Sequence, residues 1–430
     1  MTLRQLGEWN GYRAGRPDKM LRIGVDLSEM IDTILTVSPH IPLLEAFFLE
    51  LCTFLDNNVV VTFVRDSSGP DRHDKYRYAE TSDQQHDKRG FPWWVQPCQE
   101  LIQYFNFNFY CAPCEADAEL AKLNSLGLVD VIIVRDADVF ALGALCVLRR
   151  IRPPHTYAVY TADAIEHVDG VQLTRGGIFL YSLLKGNRYS NPINSISYET
   201  AFELARSGLG NDLVNVLDAH NTTGSLSSIP VTEVCAWINK FQVEIVSNQS
   251  GYLTSPMPEL AARLPRSFPF HGISLYSRPM SSWAPPFTPP DSSLWIPREP
   301  VISKIAEFCS LHLGWTTALD LARKFATSLW TGVLLRLLAL SDVVYEPNLK
   351  VFATPFHAST ARQIEFYDHP TSGKPRARLR LSTIRLMSHF DMDLDALNHD
   401  ENNHLTWVQI TVPRHHLPAG VLPFEPVNVA

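Results

Sequence analysis

The first half of the chain alternates two kinds of apolar pattern. Short, near-continuous runs, MLRIGV (20–25), VVVTFV (59–64) and VDVIIV (129–134), read as strands buried on both faces. Between them, HIPLLEAFFLELCTFLDN (40–57) and PWWVQPCQELIQYFNF (92–107) carry apolar positions at helical spacing. Residues 115–126 predict a further helix, with Ala116, Leu120 and Leu123 on one stripe and Gly127 as its stop. Buried strands separated by helices predict an α/β domain with a parallel sheet covered on both faces. The last third reads differently. A helix-like block at 304–340 precedes short strand-like pieces, RLRLSTIRL and TWVQITVP. SSWAPPFTPPDSS (281–293) reads as a proline-rich linker or loop.

The polar positions that close the strands carry the candidate chemistry. Asp26, Asp66 and Asp136 each stand just past the end of a predicted strand. In open α/β sheets that edge is where ligands bind. Asp136 and Asp138 point the same way if their strand runs on extended, because side chains there repeat every two residues. Glu115 and Asp117 are also two apart, but at the start of a helix, where such positions do not share a face. They converge only if Glu115 sits in an irregular cap before the helix, for which Pro113 gives a reason.

Crowded carboxylates repel. Two unit charges about 4 Å apart interact by roughly 4 kcal/mol at an effective dielectric near 20. Several together need protons, basic partners or divalent cations, and hard ions such as Mg²⁺ or Mn²⁺ suit oxygen ligands best. Two such ions roughly 3.5–4 Å apart are a device for phosphodiester hydrolysis. The competing reading is that these acids are solvated caps and loop ends.

Composition narrows the class. The chain has 430 residues, 45% hydrophobic and 19% charged, which is globular rather than disordered and leaves room for two or three domains. A run of about 18 apolar residues is missing, so no membrane span is expected. MTLRQLGEWNGYRAGRPDKM lacks an apolar core, so no secretory signal is expected. Seven cysteines, an odd number, suggest reduced thiols. The net charge of −8 weighs against broad nucleic-acid affinity but permits a basic groove beside an acidic site.

Longer blocks of sequence then resemble a known family, the XPG-type structure-selective 5′ nucleases, which include flap endonucleases and Holliday junction resolvases. The likeness is to a fungal, resolvase-like branch. LRIGVDLSEMI resembles the family's first acidic motif and VTFVRDSSGPDRHDKYR its second. APCEADAELAKLNSLGLVDVIIVRDADVFALGA resembles the family's central block almost throughout. LTRGGIFLYSLLKGNRYSNPINSISYETAFELARSGLG resembles the segment that follows, which ends in a helix-two-turn-helix DNA-binding element.

The resemblance implies a PIN-like three-layer α/β/α nuclease domain over residues 1–190. A helix-two-turn-helix-like segment over 191–280 and a mixed α+β, chromodomain-like C-terminal region over 281–430 would follow. It implies that Asp26, Asp66, Glu115, Asp117, Asp136 and Asp138 hold two Mg²⁺ ions, with Mn²⁺ able to substitute. Lys75, Arg77, Lys88 and Arg89 lie where the family places basic residues near the scissile phosphate. An ordinary solvated charged loop is the alternative there. The implied partner is branched or flapped DNA, and the implied setting is nuclear DNA repair or recombination.

One region departs from the pattern. GNRY (186–189) stands where the family has GGDY, so Arg188 replaces a metal-site acid. A glycine-rich turn becomes Pro192 to Ala201, with Pro192, Ser195 and Ser197 at the glycine positions and Glu199 at the usual lysine. In the family those glycines let backbone approach a phosphate and a monovalent cation. Arg188 can pair with carboxylates and carries a permanent positive charge. Three readings are therefore open: an active endonuclease, a degenerate member that binds branched DNA or protein without cutting, and, more weakly, a PIN-like ribonuclease.

Other signals read as structure. Cys111 and Cys114 form C-x-x-C without a second ligand pair and are expected to be buried thiols. DMDLDALNHDEN (391–402) lacks the glycine and glutamate of a calcium loop and reads as a solvated acidic loop. KPRARLRL (374–381) reads as a strand with a basic face, or else a DNA-contacting patch. Trp93 and Trp94 read as core.

Overall fold

The computed structural model describes residues 20–67, 92–152, 156–187, 191–193, 195–222, 231–264 and 279–340. It also describes positions 2, 3, 5, 6 and 273, and five C-terminal strands. The chain opens with β1 (Arg22–Asp26), α1 (Leu27–Val37), α2 (Leu43–Asp56) and β2 (Val60–Arg65). Then come α3 (Val95–Tyr104), β3 (Asn108–Cys111), α4 (Ala116–Ser125) and β4 (Val131–Ile133). A 3₁₀ turn at Ala137–Phe140 leads to β5 (Cys146–Arg152) and β6 (Thr156–Thr161). The six strands form one sheet in the order β3-β2-β1-β4-β5-β6.

Alternation along the central strands builds two cores. Ile23, Val25, Val61, Phe63 and Val131 point to one face, against α1, α2 and α3. Val64, Ile132 and Val147 point to the other, against α4. Gly24 lies on that second face, where a Cβ would stand 2.7 Å from Leu120 Cδ2. Its missing side chain lets α4 approach β1 closely, which brings the start of α4 toward the end of β1. The strand pattern predicts a parallel sheet, and four of its five pairings are parallel. β6 runs antiparallel to β5. CVLRRIR passes from apolar residues, with Val147 and Leu148 buried, to arginines toward its end.

The remaining helices divide between the two faces. α5 (Ala162–His167), α6 (Arg175–Lys185), α7 (Tyr198–Arg206), α8 (Leu209–Thr222), α9 (Val231–Ser247) and α10 (Pro258–Arg263) follow β6. Phe179, Leu183, Leu204, Leu213, Trp237 and Phe241 join them to the α4 side. α11 (Ile302–His312), α12 (Ala318–Ser328) and α13 (Trp330–Leu340) pack on the opposite face. There Phe48 meets Trp315 edge-on at 5.4 Å. Arg336 is fully buried and donates from Nη2 to the Val59 carbonyl at 2.7 Å. The helix-like block at 304–340 is therefore continuous with the core under the sheet.

The proline-rich stretch is a packed strap rather than a free linker. Ser282 N donates to the buried Glu119 Oε2 at 2.8 Å, Trp295 stacks on Tyr110 at 5.8 Å, and Val301 N donates to the Tyr104 carbonyl at 2.7 Å. The C-terminal strands β7 (Val344–Glu346) and β8 (Val351–Ala353) pair antiparallel. β9 (Ala361–Asp368), β10 (Pro375–Ser382) and β11 (Trp407–Pro413) form an antiparallel sheet with β10 central, so KPRARLRL lies mostly within a strand. The loop at 391–402 lies outside the described residues. Among the described residues no helix is long and apolar enough to cross a membrane.

Candidate metal centre

Register fixes where the acids arrive. β1 lies between β2 and β4, with Asp26 opposite Val64 and Val25 opposite Ile133. Three neighbouring parallel strands thus end together, and their exits carry Asp26, Asp66 and Asp136.

Asp26 is the last residue of β1 and the N-cap of α1, its Oδ1 accepting from Glu29 N at 3.0 Å. A cap carboxylate at a helix start is held by an otherwise unsatisfied amide and by the helix dipole. Asp66 follows β2, and its Oδ1 accepts from Ala116 N at 2.7 Å, at the start of α4. Glu115 occupies the extended position before α4, with φ −106° and ψ 139°. This is the irregular position that its pairing with Asp117 requires. Asp117 sits in the first turn and is buried.

The second pair is built differently from the sequence expectation. β4 ends at Ile133, so Asp136 and Asp138 do not share an extended strand. Asp136 caps the 3₁₀ turn, its Oδ1 accepting from Asp138 N at 3.0 Å. That local bond competes with the ladder and turns the chain. Asp138 Oδ1 in turn accepts from Ser182 Oγ of α6 at 3.1 Å.

Carboxylate oxygens of Asp26, Glu29 and Asp117 lie within 4.8 Å of one another. Glu29 was not legible as a site residue from the sequence. Asp66 is near enough to act electrostatically on Asp26. The carboxyl of Asp26 is pushed well above its ordinary range, first by burial and then by repulsion from Asp66, Asp117 and Glu29. Glu115, Asp136 and Asp138 stand on adjoining elements outside that tight triad. Lys75, Arg77, Lys88, Arg89 and Arg188 lie outside the described residues. The donor set is all carboxylate oxygen, which fits hard divalent cations and not zinc or copper. Positive charge would offset the repulsion that raises Asp26.

Two smaller expectations need correction. Cys111 and Cys114 are exposed, not buried. β3 is the edge strand, so the segment leaving it has a solvent side, and Arg65 Nη2 reaches Cys111 Sγ at 3.2 Å. Trp94 is buried, whereas Trp93 is exposed. At the altered turn, α7 is capped by Ser197 Oγ, which accepts from Thr200 N at 3.1 Å. The Lys185 ammonium donates to the Ile196 carbonyl at 2.8 Å and lies 4.0 Å from the Tyr198 ring.

The sheet thus gathers carboxylates at the ends of three adjacent strands. Residues 106–187 match the family profile of the XPG I-region. The chain is 35% identical over 118 residues to the flap endonuclease GEN-like 1 of Arabidopsis thaliana, covering 27% of this chain and 20% of that protein. It is 31% identical over 111 residues to the DNA repair protein RAD2 of Saccharomyces cerevisiae, covering 26% of this chain and 11% of that protein. The chain thus spans a fifth or less of the length of these two relatives. Its fold matches the crystal structure of the Holliday junction-resolving enzyme GEN1 in complex with product DNA and Mg²⁺. The TM-score is 0.69 at 21% identity, covering 98% of this chain and 93% of that one. Residues 106–187 are thus similar to the XPG I-region, and the chain has the fold of that GEN1 structure.

Proposed function

We propose that this chain is a divalent-cation-dependent endonuclease that cuts branched DNA, of the 5′-flap or four-way-junction kind, in nuclear repair or recombination. The observation that carries the reading is the convergence of Asp26 and Asp117, with Asp66 beside them, at one sheet edge within an XPG-type fold. The relatives point the same way: GEN1 carries Mg²⁺ and Mn²⁺ with product DNA in a further structure of the same fold. Asp26, Asp66, Glu115, Asp117, Asp136 and Asp138 would hold two ions. When bound, such ions activate a water and steady the leaving oxygen of a phosphodiester. The chain's own part is positional. The caps made by Asp26 and Asp66 fix their carboxylates on rigid element ends, and Ser182 fixes Asp138. Helices α7 and α8, in the segment 191–280, would grip the duplex beside the cut, and Lys75, Arg77, Lys88 and Arg89 would meet the scissile strand.

A second reading, a member that binds branched DNA without cutting, is favoured by one feature, Arg188 at an acid position. A gel assay on 5′-flap and four-way-junction DNA in Mg²⁺ and in Mn²⁺ separates the two. The endonuclease reading expects metal-dependent incision that Asp117→Asn abolishes. Binding without incision in either metal selects the second reading, and Arg188→Asp would then raise turnover.

A further inference from the structure

We propose that Glu29 is a carboxylate ligand of this cation site, joining Asp26 and Asp117 from the first turn of α1. The assignment rests on the metal-centre reading above and deepens it. Glu29 is the third residue after the N-cap Asp26, a spacing at which a glutamate ordinarily serves its own helix start by reaching back to the cap. Here Glu29 Oε2 accepts from Arg135 N at 2.8 Å, across 106 residues of sequence. Arg135 directly precedes Asp136 at the exit of β4. The bond therefore turns the Glu29 carboxylate across the sheet edge, between the exits of β1 and β4, and into reach of Asp26 and Asp117.

Repulsion argues that this placement serves a ligand. Three carboxylates within 4.8 Å oppose one another, and burial of Asp26 and Asp117 strengthens the effect. A divalent cation reverses the sign of the interaction, and a monodentate oxygen from each of the three residues is a donor set that Mg²⁺ and Mn²⁺ accept. Glu29 thus adds a carboxylate to the six acids matched to the family motifs.

The test is Mn²⁺ binding to the full chain, followed by electron paramagnetic resonance of the free ion, with thermal melting alongside. Glu29→Gln keeps an oxygen for Arg135 N and removes the charge. Its Mn²⁺ affinity should fall by roughly 10–100-fold. Its melting temperature without Mn²⁺ should rise, and the stabilisation added by Mn²⁺ should shrink. Glu29→Ala should lose affinity as well. If Asp117→Asn weakens binding while Glu29→Gln binds as the wild type does, Glu29 is not a ligand and the metal centre stands without it. If Glu29→Gln melts lower without Mn²⁺ and binds unchanged, the residue is a helix-start residue only. If the wild-type chain binds no Mn²⁺, the metal centre itself fails, and this assignment with it.

Discussion

Ser182, in the middle of α6, donates its hydroxyl to Asp138 Oδ1 at 3.1 Å, so a helix past the sheet holds an acid at the sheet's edge. Asn187 Nδ2 reaches the same hydroxyl at 3.3 Å. The buried hydroxyl links α6, and Asn187 just after it, to Asp138. Ser182→Ala should cost about 1 kcal/mol of stability, the net worth of a buried hydrogen bond. It should also lower incision several-fold by freeing Asp138. Melting and single-turnover cleavage, measured together, check both effects.

Asp66 has two separable duties, as a charge near Asp26 and as the acceptor for Ala116 N. Asp66→Asn keeps an acceptor and removes the charge, whereas Asp66→Ala removes both. Without metal, the alanine variant should be less stable than the asparagine variant by about 1 kcal/mol, the usual worth of a helix-start acceptor. Both should lose metal-dependent cleavage. Equal denaturant midpoints for the two variants would count against the cap.

Asp26 gives the metal-free protein a pH dependence of definite sign. Its ordinary value is 3.8, and burial with neighbouring carboxylates raises it well above that. The folded state therefore holds this proton more tightly than the unfolded state. The stability so gained is complete below 3.8 and is lost as pH rises through the raised folded value. Asp26→Asn should flatten that fall while keeping an oxygen for Glu29 N. Saturating Mg²⁺ should oppose it, since a cation favours the ionised carboxylate. Melting temperatures across the pH range, with and without Mg²⁺, give the comparison.

Arg336 tests whether the helices after the strap belong to the sheet's core. Its guanidinium donates to the Val59 carbonyl and to Asn58 Oδ1, and it lies 5.8 Å from the Phe107 ring. Arg336→Ala leaves a buried carbonyl unpaired and a void beside it. The expected cost is roughly 2–4 kcal/mol. One cooperative transition should shift as a unit. A separate early transition, with the rest of the melt unmoved, would mean that α11 to α13 fold independently of the sheet.

Much of this arrangement was legible in the sequence because local signals and topology agree. The apolar runs of β1, β2 and β4, each closed by an aspartate, place Asp26, Asp66 and Asp136 at one sheet edge. Gly127 and the Ala116–Leu120–Leu123 stripe marked α4. The failures have physical causes. Glu29 carries no signal of its own in the sequence, because its orientation depends on an amide 106 residues away. Asp136 and Asp138 looked like a continued strand, because an aspartate that bonds the amide two residues on ends a strand without changing its composition. Cys111 and Cys114 looked buried, because a sequence does not show that β3 lies at the sheet's edge.

The most direct test of the shared carboxylate pocket is anomalous scattering from crystals of the full chain grown with Mn²⁺. The account predicts manganese peaks among Asp26, Glu29 and Asp117 and toward Asp136 and Asp138. Crystals saturated with Mn²⁺ that show no peak at this sheet edge would contradict it.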